Sequence, residues 1–419
     1  SIIVPSIVAF LALLLLSVPP TATAEEACGL CHRQASRGVH AALVCADCHG
    51  GGPAQRAAEL ASTGMALRCQ QCHEGTLGVL HGPMATRGAE RAFVARSWGR
   101  ADGDFYAKNC AACHVRDCLD CHGLDGHDIA RPEKEDCHAC HRGYYVGADY
   151  YGFAPREDAE RYQRGPGYGG EHYLKMSPDV HAQAGMVCGD CHGMAGLAAG
   201  KRADVGCRDC HEPDPEIIEH GIAAHLEKLE CYACHSGWAA QEYGTFFIRF
   251  TNGVIPDYFR LRKDQTAPDY LRSAYLRLQD LPPLGLNERG LVSPIRPQFL
   301  AYFSEIDGET TRGEDNRRLA AEWKAFFPHT VQRGTPLCDA CHDRPARFLL
   351  EKPEDRVYLP DKDGLGLVSF WNQAGQQVVN GAFVDQARYE RLSRRDATYV
   401  KAYVEKWKQL AESVENSSP

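Results

Sequence analysis

The sequence predicts a fold of short helices and irregular segments, with little regular sheet outside a small mixed region near the C-terminal end. Three observations predict this. All 20 cysteines fall in Cys-x-x-Cys-His motifs, of which there are ten. Nine of these motifs are crowded into residues 28–235. Residues 239–419 hold only the tenth motif, and there the composition changes.

Cys-x-x-Cys-His is the covalent attachment motif of c-type haem. The two thiols form thioethers to the porphyrin, and the adjacent histidine is placed to bind the iron from one side. We therefore predict ten covalently bound c-type haems. In chain order the motifs are Cys28, Cys31 and His32; Cys45, Cys48 and His49; Cys69, Cys72 and His73; Cys110, Cys113 and His114; Cys118, Cys121 and His122; Cys137, Cys140 and His141; Cys188, Cys191 and His192; Cys207, Cys210 and His211; Cys231, Cys234 and His235; Cys338, Cys341 and His342.

Two other chemistries also use paired cysteines. Cys-x-x-Cys pairs form zinc sites and redox-active dithiols, and an exported protein can carry a disulfide framework. Neither chemistry explains a histidine directly after every second cysteine, because only 19 of the 419 residues are histidine. Haem attachment is therefore the favoured interpretation.

The density of motifs predicts how the fold is filled. The first nine motifs leave about 23 residues for each, too few to bury an ordinary side-chain core. We therefore expect a haem-cored protein, in which short helices and loops surround the porphyrins. Glycine and proline in Gly50–Pro53 and Arg164–Gly167 predict loops.

The N-terminal residues predict export. Residues 2–18 are mostly apolar, and Ala22-Thr23-Ala24 follows as a cleavage-site pattern before Glu25. This segment is either a signal peptide or a retained membrane anchor, and its length is at the short limit of about 17 residues for a membrane span. Both interpretations predict a periplasmic or other extracytoplasmic location. The net charge of −9 argues against nucleic acid as a partner.

Two segments repeat one another. Val39-His40-Ala41 and Val180-His181-Ala182 each precede two motifs, and His-Gly follows at His81 and at His220. This similarity divides the chain into parts. They are a signal peptide or anchor at 1–24, a three-haem module at 25–109, a central three-haem cluster with a Tyr/Arg-rich loop at 110–180, a second three-haem module at 181–238, and a haem-poor C-terminal region at 239–419.

Regular structure is predicted mainly in that last region. Thr245–Thr251 and Gln298–Ser304 favour short strands, and Val368–Val379 a hairpin turning around residues 372–375. We expect the region to be a small mixed domain, or a cover over the tenth haem. One stripe of apolar side chains predicts a C-terminal helix: Val400, Tyr403, Val404, Trp407, Leu410 and Val414.

Nine further histidines are candidates for the second axial ligand. Low-potential electron-transfer haems use two histidines, and a methionine ligand raises the potential. Nine histidines for ten irons are almost a full set, although His138 lies inside its own motif and could serve only a neighbouring haem. The nine are His40, His81, His127, His138, His172, His181, His220, His225 and His329.

Two of these assignments can be made more specific. A predicted helix over Glu216–Leu229 carries His220 and His225, which are about 140° apart around its axis and should face different irons. His329, nine residues before Cys338, is the candidate for the tenth haem. At least one iron lacks a histidine from this chain. It takes a methionine, takes a ligand from another subunit, or stays open; the methionines are Met65, Met84, Met176, Met186 and Met194.

Over residues 28–342 the motifs resemble the multihaem cytochrome c superfamily. The resemblance implies electron transfer between redox partner proteins, from a donor to a terminal acceptor, along closely spaced haems. A second hypothesis is a reductase or dehydrogenase of a small nitrogen or sulfur compound, with one five-coordinate haem beside the tyrosines and arginines of Gly143–Gly170. A third is a polymerising wire in which a neighbouring subunit supplies a ligand. Of these, electron carriage is favoured over enzyme activity.

Overall fold

The computed structural model describes a large part of the chain. The described residues are 40, 42–43, 67, 69–111, 115, 117–123, 129–141, 164–168, 171–174, 179–237, 239–252, 269–279, 281–350, 376–395 and 397–416. Side chains are described for most of these positions. The predicted signal segment and the first motif lie outside them. Of the predicted hairpin only residues 376–379 are described, and the predicted loop at Gly50–Pro53 is not.

The chain divides into two compact units. The first comprises Ser1–Thr86, His114–Cys137 and Gly193–Asp204, and the second comprises Arg87–Cys113, His138–His192 and Val205–Pro419. Both units are built from segments that are far apart in sequence, so each unit depends on long-range packing.

Helices of the described residues are mostly short. The α-helices are α1 Gly78–His81, α2 Pro83–Thr86, α3 Gly88–Arg96, α4 Phe105–Asn109, α5 Leu119–His122, α6 Lys134–Cys140, α7 Val180–Gln183, α8 Cys188–Cys191, α9 Met194–Ala198, α10 Ile218–Gly221, α11 Ala223–Lys228, α12 Cys231–His235, α13 Asp339–His342, α14 Gln386–Leu392 and α15 Ala397–Asn416. Turns of 3-10 helix are Trp98–Arg100, Cys207–Asp209 and Pro345–Phe348.

Within the first unit, α9 packs directly on α1. Gly78 is required there because a Cβ atom at this position would collide with the carbonyl group of Ala198. The loop after α9 is fixed by Asp204, whose side chain accepts a hydrogen bond of 3.3 Å from the Gly196 amide. A close backbone approach and one carboxylate therefore hold this small layer together.

The second unit contains a mixed sheet of seven strands. The strands are β3 Ala239–Asn252, β4 Tyr270–Gln279, β5 Leu284–Asn287, β6 Val292–Asp307, β7 Thr310–Thr311, β8 Arg317–Ala325 and β9 Gly381–Ala382, and a separate pair is β1 Arg164–Tyr168 with β2 Glu171–Leu174. The strands of the sheet run in the order β4-β3-β6-β5-β9, and β7 and β8 also pair with β6. Strands β3 and β6 are parallel, and the other pairs are antiparallel.

This sheet contradicts the predicted fold class. The prediction of a mostly α and irregular, haem-cored protein is wrong, because the main ordered core is a mixed sheet covered by hydrophobic side chains. Strand β6 explains the difference, since it is almost wholly buried and has partners on both sides. The expectation of a porphyrin core considered only residues 28–235, and even there Phe93, Trp98 and Phe105 are buried as ordinary core side chains. Residues 239–419 contain enough apolar side chains to bury an ordinary core.

Aromatic packing joins α3 and α4 to the sheet. Trp98 stacks on Phe105 at 5.4 Å between ring centroids and meets Phe247 of β3 edge-on at 5.0 Å. The Trp98 indole also donates a 2.9 Å hydrogen bond to the carbonyl oxygen of Tyr302 on β6. Each such aromatic residue removes a large apolar surface from water. The segment from Trp98 to Phe105 is therefore held by the sheet, although more than a hundred residues separate it from β3 and β6 in sequence.

The fold confirms three of the predicted elements and contradicts two others. The strands Thr245–Thr251 and Gln298–Ser304 are confirmed within β3 and β6, and the C-terminal helix is confirmed as α15. Arg164–Gly167, predicted as a loop, instead lies in strand β1, which pairs with β2 through an irregular register. The predicted helix over 216–229 is two helices, because Ile222 between them has an extended backbone with ψ of 102°.

Candidate metal centres

Five histidine pairs occur in the described part of the chain, and each joins one motif histidine to one histidine from outside the motifs. The distances between ring centroids fall between 5.9 and 6.1 Å. The pairs are His73 with His40 at 6.0 Å, His192 with His329 at 6.1 Å, His211 with His181 at 5.9 Å, His235 with His220 at 6.1 Å, and His342 with His225 at 6.1 Å.

This spacing fits a metal ion between two imidazoles. A metal–nitrogen bond of about 2 Å on each side, plus the distance from ring atom to ring centre, places the centroids about 6 Å apart. Two protein ligands are too few for a structural zinc site, which takes four. They suit an iron whose other four ligands are porphyrin nitrogens. Among the described residues, no group of three or more His, Cys, Asp or Glu side chains is arranged to hold a metal ion.

The hydrogen bonds of the rings leave the other ring nitrogen for a metal. His342 Nδ1 lies 2.7 Å from the Ser393 carbonyl oxygen, and His235 Nδ1 lies 3.2 Å from the Gln332 carbonyl oxygen. His225 Nδ1 is likewise 3.1 Å from the Glu219 carbonyl oxygen. A carbonyl oxygen can only accept, so each Nδ1 donates the proton and each Nε2 keeps its lone pair. This is how proteins orient ligating histidines.

Asp179 orients the ligand candidate His181 with a carboxylate. Its Oδ1 accepts from both the Nδ1 and the backbone amide of His181, each at 2.8 Å. Its Oδ2 accepts from the backbone amide of Val331 at 2.6 Å. Asp179 is buried, so these bonds are shielded from water. Asp179 was not predicted from the sequence, although its place two residues before a histidine, as the N-cap of α7, could have indicated it.

Residues 329–332 bring two centres together. The Val331 carbonyl accepts from the Val180 amide at 3.0 Å, and the Thr330 carbonyl accepts from the Gly237 amide at 3.0 Å. The Gln332 amide donates to the His235 carbonyl at 2.8 Å. One short segment of the C-terminal region is thereby fixed between the seventh and ninth motifs.

His329 lies beside His192 of the seventh motif, so its predicted place near the tenth motif is wrong. Its ring lies beside His192, because residues 329–332 are hydrogen-bonded to Val180, Gly237 and His235. The backbone of His329 has φ of 55°, a strained value for a non-glycine residue that is often found at functional sites. Removal from water lowers the pKa of His329 to about 4, so its ring is neutral at pH 7.

The histidine beside the tenth motif is His225 instead. His220 and His225 lie beside different motif histidines, His235 and His342 respectively, and the prediction that they serve different irons stays a prediction. The reason differs from the predicted one. The two histidines are on separate short helices, α10 and α11, so a break in the chain turns them apart.

Side chains of the two C-terminal helices, α14 and α15, contact the tenth motif at and next to His342. Tyr399 of α15 stacks on the His342 ring at 6.4 Å with 14° between the planes, and its hydroxyl lies 3.0 Å from Cys338 Sγ. Tyr389 of α14 donates to the carbonyl oxygens of His342 at 3.0 Å and Cys341 at 3.2 Å. Neither tyrosine was predicted from the sequence to contact this motif.

The two cysteines of a motif lie on one short turn of chain. The Cys72 amide donates to the Cys69 carbonyl oxygen at 3.2 Å, and the Cys121 amide donates to the Cys118 carbonyl oxygen at 3.3 Å. Cys72 is exposed, whereas Cys121, within α5, is half-buried. Both thiols of a motif can therefore face one edge of a porphyrin, and attachment at these positions stays a prediction.

Five of the predicted attachment cysteines lie outside the described residues, so attachment at these positions also stays a prediction. They are Cys28, Cys31, Cys45, Cys48 and Cys113. For Cys140, at the end of α6, only the backbone is described.

Cysteines of different motifs are close to one another. In the first unit, Cys69 of the third motif hydrogen-bonds to Cys118 of the fifth. In the second unit, Cys207 of the eighth motif hydrogen-bonds to Cys231 of the ninth. Electrostatic interactions there also link Cys191 with Cys210, and Cys234 with Cys341. The seventh to tenth motifs therefore form a continuous row.

The other predicted ligands are located as follows. His81 ends α1 and is exposed, and His122 Nδ1 lies 3.0 Å from the Ala130 carbonyl oxygen. His141 interacts electrostatically with His192. Only the backbone is described for His138 and His172. Outside the described residues lie His127, His32, His49, His114, Met65, Met176 and most of the Tyr/Arg-rich segment.

No protein-family model matches the chain, and no curated protein and no solved structure matches it. In the portion of the chain that the structure describes, no helix is long and apolar enough to cross a membrane.

Proposed function

We propose that this chain is a c-type multihaem cytochrome of the extracytoplasmic space that carries electrons between a donor and a terminal acceptor. One observation carries the proposal. Every described histidine pair combines a motif histidine with a histidine from elsewhere, at the separation that an iron needs. Random packing of rings gives no reason for this strict pairing of two classes.

The residues of the chain have separate roles in this proposal. The paired cysteines would anchor each haem covalently, and the two histidines of a pair would hold its iron. A bound haem supplies one-electron transfer without substrate chemistry. Ser393, Gln332, Glu219 and Asp179 hold the ligand rings in one tautomer and one orientation, which limits structural change on reduction.

The row of motifs supports transfer over a long distance. Cys207 and Cys231, of consecutive motifs, are joined by a hydrogen bond between their side chains. The haems attached to them would therefore have adjoining edges. The interactions of Cys191 with Cys210 and of Cys234 with Cys341 extend the row on both sides. An arrangement of this kind carries electrons between the two ends of a protein and offers docking positions for two redox partners.

The first test is stoichiometry and spin state. A pyridine haemochrome assay with intact mass should report ten covalent haems per chain, and electron paramagnetic resonance should show mainly low-spin iron. Zinc in place of haem, or intact disulfides, would contradict the proposal. At least one high-spin or methionine-ligated component is expected, because nine histidines cannot complete ten irons.

A further inference from the structure

A buried arginine lies between the ninth and tenth motifs. Arg347, in the 3-10 turn Pro345–Phe348 that follows the tenth motif, is only 4% exposed. Its Nη1 is 3.0 Å from Cys341 Sγ of the tenth motif. Its Nη2 donates a 2.8 Å hydrogen bond to the carbonyl oxygen of Ala233, which stands between the two cysteines of the ninth motif. One guanidinium therefore contacts both α12 of the ninth motif and α13 of the tenth.

Among the described residues, no carboxylate pairs with Arg347. Its remaining contact is a 3.5 Å hydrogen bond from Nε to the Pro282 carbonyl oxygen, and no ion pair joins it to an acidic residue of the described segments. Burying a cation without an acid is costly, and carbonyl dipoles offset only part of the cost. A further role for the charge is therefore to be expected.

We infer that Arg347 raises the reduction potentials of the haems attached at the ninth and tenth motifs. This inference rests on the proposed function. Reduction adds one electron, delivered by the redox donor, and converts ferric to ferrous iron with the loss of one positive charge. A fixed cation in a buried, weakly screened position favours the less positive state. The hydrogen bond to the cysteine sulfur acts in the same direction, by withdrawing electron density from the attached group.

An acidic side chain is also present near the tenth motif. A carboxylate oxygen of Glu219 lies 3.8 Å from Cys338 Sγ and carries the opposite charge. Glu219 is partly exposed, so water screens it more than it screens Arg347. The cation should therefore dominate, and the two residues form a matched pair for a test. The haems of the ninth and tenth motifs, at one end of the row, would then have the higher reduction potentials, and electrons would collect there.

The experiment is a spectroelectrochemical titration of the full chain with ten haems attached. Arg347→Gln should move two of the ten components to lower potential and leave the others in place. Arg347→Lys, which keeps the charge, should stay close to wild type, and Glu219→Gln should move one component upward. Arg312→Gln, an exposed arginine that pairs with Asp307, removes the same charge and should move none.

An unchanged titration for Arg347→Gln, with all ten haems present, would overturn the inference. If that variant loses haem, a second measurement uses His225→Ala, which removes the second ligand of the tenth haem. The low-spin component lost in this variant identifies the tenth haem in the wild-type titration. It should titrate at the upper end of the low-spin group, and a place at the lower end contradicts the role of Arg347. A wild-type chain without covalent haem would instead overturn the proposed function.

Discussion

At the residue scale, each candidate centre depends on a few long-range contacts. The ring of His329 reaches His192 from more than a hundred residues away, with a strained backbone. Asp179 bonds both to His181 and to Val331, next to that strained segment. Single substitutions at these positions should therefore affect one centre each.

The assignment of His329 to the seventh motif can be tested by substitution. His329→Ala should leave ten haems attached, because the thioethers do not involve this side chain, and should convert one low-spin haem to high spin. Electron paramagnetic resonance measures the conversion. In a chain that lacks the seventh haem through Cys188→Ala and Cys191→Ala, the same substitution should add no further high-spin iron.

The control for this experiment is a chain that lacks the tenth haem instead of the seventh, through Cys338→Ala and Cys341→Ala. There His329→Ala should still add one high-spin haem. The reverse result, an effect that disappears only without the tenth haem, would restore the sequence-based assignment of His329.

Replacing Asp179 tests the orientation of His181. In Asp179→Asn, one side-chain oxygen remains for His181 Nδ1, but the amide NH₂ then faces the backbone N–H of Val331. A buried donor without an acceptor costs about 1–3 kcal/mol. Denaturant unfolding should show a loss of this size, and Asp214→Asn, whose exposed side chain accepts a 2.9 Å hydrogen bond from the Glu216 amide, serves as the control. Equal losses for the two variants would contradict the bridging role of Asp179.

At the element scale, the sheet decides where the helices lie. Helices α3 and α4 are held by Trp98 and Phe105, which pack on Phe247 and Tyr270 of the sheet. Tyr270 also donates a 2.9 Å hydrogen bond to Asp102, which accepts another at 2.8 Å from Lys108. Apolar packing and this small polar network therefore join residues 98–108 to strands β3 and β4.

Trp98 should be the most sensitive position of this contact. Trp98→Ala removes a buried ring and its hydrogen bond to Tyr302, so the free energy of unfolding should fall by about 3–5 kcal/mol. Trp98→Phe keeps most of the apolar contact and should cost less. Thermal or denaturant unfolding of the haem-loaded chain gives both values, and a loss below about 1 kcal/mol for the alanine variant would contradict the packing.

Asp102 predicts a pH dependence at the same contact. Burial raises the pKa of Asp102, but the bonds from Lys108 and Tyr270 outweigh it and hold that pKa below the usual value. A carboxyl group with a depressed pKa contributes stability above its unfolded value near 3.8, and this is lost as the pH falls through the folded pKa. Asp102→Asn should therefore lower stability at pH 7 and flatten its fall below about pH 4. The same acid-induced loss in both proteins would contradict this.

At the scale of the whole molecule, residues 239–419 do more than cover one haem. They contain the seven-stranded sheet, and they supply His329 to the seventh motif and the Gln332 carbonyl to the ninth. Truncation after Trp238 should leave at most nine attached haems, with high-spin iron at the seventh. It should also expose Trp98 and Phe105 and make the product prone to aggregation. Low-spin iron at the seventh motif of a soluble, truncated chain would contradict this prediction.

The sequence by itself determined the predicted attachment positions, because thioether formation needs only five consecutive residues. It also determined which histidines remained for the second ligand, and the apolar stripe of α15. Only the tertiary structure decided which histidine meets which motif, and it overturned the assignment of His329. The mixed sheet escaped prediction for the same reason. Strand pairing, second ligands and the position of Arg347 are contacts between distant segments, and their geometry depends on how the whole unit packs, not on local spacing.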